Sequence, residues 1–120
     1  MDLAVERERQ PREYQRYTYA RAVQQNVIAC LPTGSGKTYI AFMLMQHFAS
    51  ETGLPFSGTG KRIFFLVPQK VLVRQQAQEI RIHTPFTEDV AEISGDNDVD
   101  LWCKDKWLKH LDDFRIFVVM

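Results

Sequence analysis

Leu31-Pro32-Thr33-Gly34-Ser35-Gly36-Lys37-Thr38 lies between an almost wholly apolar run, 26–31 (NVIACL), and a stretch whose apolar residues recur at helical spacing, 37–50. A buried strand, then a glycine-bearing turn, then a helix is the context in which G-K-T binds phosphate. Gly34 and Gly36 lack Cβ atoms, so the backbone can curl and turn successive N–H groups inward. A helix beginning at Lys37 adds its unpaired N–H groups and the positive end of its dipole. The pattern predicts that Pro32, Thr33, Gly34, Ser35, Gly36, Lys37 and Thr38 hold a nucleoside triphosphate. Lys37 is expected on the β- and γ-phosphates, and the Thr38 hydroxyl on Mg²⁺. These two are the candidate catalytic residues. The general phosphate-loop pattern has Gly at the position of Leu31.

Outward from this loop, the N-terminal 1–10 is a polar tail, expected to fray. Pro11 suits the first turn of a helix that runs to about Gln24. Residues 51–60 (ETGLPFSGTG) form a loop. Residues 63–67 read as a second buried strand, stopped by Pro68, and Val73, Ala77 and Ile80 carry a helix to about Ile82. A third strand is expected over 90–94 and a turn over 95–100. A helix follows with Val99, Cys103, Trp107, Leu108 and Leu111 on one side. A fourth strand is expected over 114–120 (FRIFVVM). Strands alternating with helices make an α/β chain: a parallel sheet with helices on both faces.

The totals restrict the function classes. Fifteen basic and fifteen acidic residues cancel, so a nucleic-acid contact must come from local placement. Cys30 and Cys103, the two cysteines, lie outside any CxxC spacing, which excludes a zinc ribbon and predicts two reduced thiols in or near the core. Asp96, Asp98 and Asp100 open like a calcium loop, but Leu101 and Trp107 stand where Gly and Glu are required, so a solvated turn is expected. No apolar run reaches the length of a signal peptide or membrane span, and the expected location is cytoplasm or nucleus, without membrane.

Several motifs resemble one family. PTGSGKT resembles motif I of superfamily-2 helicases, which commonly relax the position of Leu31. Pro11-Arg12-Glu13-Tyr14-Gln15 resembles the Q motif of Dicer and RIG-I-like proteins. That resemblance implies that Gln15 reads adenine, its carboxamide matching N6 and N7 as a donor–acceptor pair, with Arg12 near the base or ribose. Residues 66–76 (LVPQKVLVRQQ) resemble motif Ia, which implies contact of Pro68, Gln69 and Lys70 with a sugar-phosphate backbone. The stretch 94–119, with Trp102 and Trp107, resembles Dicer-like helicase domains. There the tryptophans are expected to pack on an amphipathic helix, and Gly95 to approach nucleic acid.

The resemblance implies a P-loop NTPase (RecA-like) fold for 11–120, the first part of a helicase ATP-binding domain. Motif II, the second RecA-like domain and the nuclease parts are not among these residues. It further implies an ATP-dependent helicase acting on double-stranded RNA within a Dicer-like endoribonuclease of RNA interference. ATP and Mg²⁺ are the implied cofactors, and RNA and the rest of the parent chain the partners. Two alternatives stay open: the front end of a RIG-I-like sensor or DNA-branch helicase, and a truncated non-catalytic nucleotide-binding fragment. Without the carboxylates of motif II the chain by itself is expected to bind ATP and not to turn it over.

Overall fold

The computed structural model describes residues 12–30, 36–53, 56 and 60–120, which fall into two compact units, 1–47 and 48–120. In the first unit, helix α1 (Glu13–Gln24) packs against helix α2 (Lys37–His47). The Tyr19 hydroxyl lies 3.2 Å from His47 Nδ1, and the two rings meet edge to face. Ile40, Phe42 and Met45 of α2 are buried. The helix ends three residues earlier than its apolar pattern extends, and Ala49–Glu51 continue as a short 3-10 turn.

The strand expected over 26–31 does not form among the described residues: 26–30 are exposed and outside any ladder, and Ile28 is 92% exposed. An apolar run becomes a buried strand only where neighbours take up its backbone groups and layers cover both faces. Residues 26–30 have neither. Cys30 is exposed with them, and Cys103 is exposed too, which corrects the expectation of core thiols.

The second unit holds the sheet. Strands β1 (Ile63–Leu66), β2 (Val90–Ile93) and β3 (Ile116–Val119) are all parallel, in the order β1-β3-β2. Ile116 faces Ile63 on one side and Val90 on the other, and the register continues to Val119 between Leu66 and Ile93. The central strand is apolar on both faces, and Ile116, Phe117 and Val118 are fully buried, as a parallel strand between two layers requires.

Side chains alternate across a strand, so the two layers can be read from it. Helix α3 (Lys70–His83) contacts β2 and β3 and buries Val73, Ala77 and Ile80, one turn after another along one stripe. The Thr84 N–H and hydroxyl both bond the Ile80 carbonyl, and Pro85 follows, which ends the helix. On the opposite face Ala91, Ile93 and Phe117 form a cluster covered by Val99, Trp102, Leu111 and Phe114, and by Trp107 of helix α4 (Lys104–Asp113).

The tryptophans pack, as expected, with ring centroids 4.8 Å apart, but only Trp107 is helical. Trp102 follows the 3-10 turn Val99–Leu101 in extended backbone, and Cys103 and Leu108 face solvent rather than the cluster. The apolar stripe of 99–111 is thus split between a turn and a helix. At the β1 edge of the sheet, Phe64 stacks on Phe117 yet stays 51% exposed, and Leu66 is 74% exposed.

Arg115, just before β3, ties the unit together at the amino ends of the strands. Its guanidinium donates to the carbonyls of Ala49 and Thr52 (both 2.8 Å) and to Thr52 Oγ1 (3.0 Å), and pairs with Asp89 (3.2 Å). The carbonyl of Asp89 in turn accepts from the N–H groups of Arg115 and Ile116. Arg62, whose Nε donates to Leu111 O at 2.7 Å, is held below the usual guanidinium range by burial first and then by Arg115, with Asp112 opposing.

Candidate functional site

In the first unit the site is built where α2 begins. Leu31, Pro32, Thr33, Gly34 and Ser35 lie outside the described residues, as does Pro11. Gly36 has φ +83°, and a Cβ there would stand 2.2 Å from Gln15 Nε2, so only glycine fits without moving its neighbour. Lys37 and Thr38 follow as the first two residues of α2, both exposed. Their N–H groups belong to the orphan donors of a helix start, where an anion is favoured. Gly36, Lys37 and Thr38 therefore suit a phosphate tail and, through the Thr38 hydroxyl, its Mg²⁺.

Gln15 is only 5% exposed and bridges the two sequence motifs. Its Oε1 accepts from the Arg12 N–H at 2.7 Å, capping α1, and its Nε2 donates to the Gly36 carbonyl at 3.1 Å. The amide retains a second N–H and a second lone pair. Arg12 is exposed, its Nη1 bonded to the Tyr14 hydroxyl at 3.1 Å. No spacing rule links residues 21 apart, so the bond from Gln15 to Gly36 was not legible beforehand.

Changing Gly36 to Ala should lower the stability of the first unit by about 2–3 kcal/mol. The positive φ accounts for about 1–2 kcal/mol, and losing the Gln15 bond for about 1 kcal/mol. A melting curve of G36A that overlays the parent's would contradict this.

In the second unit the parallel strands place their carboxyl ends along one edge, where α/β folds bind ligands. Pro68 and Gln69, exposed, lead from β1 into α3, which starts at Lys70 with no side chain capping it. The turn after β2, Gly95–Asn97, reaches the same edge, and among the described residues nothing beyond its chain neighbours lies within 4 Å of where a Cβ on Gly95 would stand. Between helix and turn lies a cleft of about 350 Å³ lined by Lys70, Val73, Arg74, Glu92, Ser94 and Asp96, together with Asn97. Lys70, expected to contact a backbone phosphate, is ion-paired with Asp96. Glu92 is held by Arg81 at 3.0 Å. Arg74 makes no ion pair among the described residues. The sequence reading missed Asp96 as Lys70's partner; only the SGDN turn hinted that a carboxylate would sit there.

Residues 7–120 match the family model described as type III restriction enzyme, res subunit. The chain belongs to that helicase family. Within it the sequence is similar to Dicer proteins: it is 44% identical to Dicer-like protein 1 of Pyricularia oryzae over 84% of this chain. It is 39% identical to endoribonuclease Dicer homolog 2 of Arabidopsis thaliana over 90%, and 35% identical to endoribonuclease Dicer-S of Xenopus laevis over 91%. The chain spans 6–7% of the length of these relatives. It is therefore a Dicer-like superfamily-2 helicase N-terminal domain, RecA-like and incomplete, and the parallel sheet between α3 and α4 fits that fold. In this Dicer-like domain no described helix is long and apolar enough to cross a membrane.

Proposed function

We propose that the chain is the ATP-binding part of an ATP-dependent RNA helicase or translocase module within a Dicer-like double-stranded RNA endoribonuclease. The supporting observation is the bond from Gln15 to the carbonyl of Gly36, which joins the adenine-reading motif to the phosphate loop one residue before Lys37. Base and tail of one nucleotide are then sensed by a single connected element. Residues 32–38 cradle the phosphates, Thr38 ligates Mg²⁺, and Arg12 stands near the base or ribose. When bound, Mg²⁺ neutralises charge on the β- and γ-phosphates.

The edge formed by Pro68, Gln69, Lys70 and Gly95 holds the sugar-phosphate backbone of RNA by charge and shape, without base readout. Turnover waits on carboxylates supplied elsewhere in the parent protein, together with its second RecA-like domain. The RIG-I-like and branch-helicase alternatives share the same motifs; the named relatives, all Dicer proteins, favour the Dicer-like module.

Calorimetric titration tests this reading. ATP should bind, GTP about tenfold more weakly, and Q15A should bring the two together, because a buried amide that pairs adenine rejects a base with the opposite donor pattern. Equal affinities for ATP and GTP in the parent chain would remove adenine recognition from Gln15.

A further inference from the structure

The parallel sheet brings two opposite charges from distant parts of the chain to one place. Lys70 opens α3 directly after the carboxyl end of β1, and Asp96 sits in the turn after the carboxyl end of β2. Their side chains pair across the mouth of the cleft. The turn is not free to swing away. The Ser94 N–H donates to Asn97 Oδ1 at 2.8 Å, and the Asn97 N–H donates back to the Ser94 carbonyl at 3.0 Å. The Asn97 carbonyl accepts from Trp102 Nε1 at 3.0 Å, and Trp102 is packed on the cluster around Phe117. A side chain anchored on the sheet thus sets the position of Asp96.

We propose that Asp96 is a built-in competitor for the phosphodiester: its carboxylate occupies the Lys70 ammonium until an RNA backbone phosphate displaces it. The proposal rests on the reading of this edge as the backbone interface. A carboxylate and a phosphodiester each present singly charged oxygens to the same ammonium. The two side chains are 59% and 69% exposed, so the pair is weak and exchange is cheap. Glu92, the other carboxylate of the cleft, is engaged by Arg81 and leaves Lys70 to Asp96. Arg74, one turn along α3, is the cation that meets the first phosphate, and Lys70 follows once released. Such a latch lowers affinity for any single phosphate and favours a polyanion that engages both cations together.

The test is binding of a fluorescently labelled blunt double-stranded RNA by anisotropy, at several salt concentrations, with the parent chain, D96N, K70A, the double variant and D100N. Asp96→Asn should tighten binding about two- to fivefold, the range of an exposed ion pair. It should also steepen the salt dependence by about one ion, since Lys70 then contributes a full charge. In the K70A background the same substitution should have little effect, and D100N should lie near the parent. A D96N chain that binds no tighter, while K70A weakens binding, overturns the latch and leaves the interface standing. Equal tightening by D96N with and without Lys70, or by D100N, assigns the effect to bulk repulsion and also overturns it. If K70A binds RNA as the parent does, the interface reading fails and the latch with it.

Discussion

Lys37→Ala should abolish ATP binding in a calorimetric titration, a loss of about 100-fold or more. On the proposed reading the ammonium meets the β- and γ-phosphates, and each hydrogen bond from a charged donor contributes about 1.5–3 kcal/mol. Lys37 is exposed at the first position of α2, and Ala is the strongest helix former, so K37A should melt at the parent's temperature. That separates loss of the ligand contact from loss of the fold. An affinity unchanged by the substitution would remove the basis for assigning the loop to a nucleotide.

The largest loss of stability is expected at Arg115. Its guanidinium joins the 3-10 turn Ala49–Glu51, the buried Thr52 and the residue before β2 to the start of the central strand. It also lies 4.7 Å over the Phe86 ring. Arg115→Ala leaves Asp89 unpaired and the carbonyls of Ala49 and Thr52 without this donor. Removing one partner of a mostly buried pair costs about 3 kcal/mol or more. For a unit of this size the midpoint should fall by roughly 10–20 °C. Arg115→Lys should lie between, because an ammonium keeps the charge opposite Asp89 but not the fork that reaches four oxygens at once. Thermal melts of the three proteins provide the check, and a shift of only a degree or two in R115A would show that the network is incidental.

Features carried by short-range periodicity were legible in the sequence. The stripe of Val73, Ala77 and Ile80 marked α3, the apolar runs marked the three strands that form, and Gly36 followed by Lys37 and Thr38 marked a helix start. Each is a property of neighbours along the chain, where backbone geometry sets the period. The strand expected over 26–31 fails for the complementary reason. A strand is a relation between segments, and the run NVIACL does not contain its own partner. The same holds for exposure, which depends on what lies opposite and placed Cys30 and Cys103 in solvent.

From the amino-acid order came the class of fold, the helicase motifs and the residues proposed for phosphate. Tertiary structure alone decided that Gln15 reaches Gly36, that Arg115 closes the amino ends of the strands, and that Lys70 meets Asp96. Those contacts join residues far apart in the chain: the first forms where two helices pack together, and the other two where parallel strands align their ends. No period or motif encodes such a meeting, since it arises from the path of the whole chain.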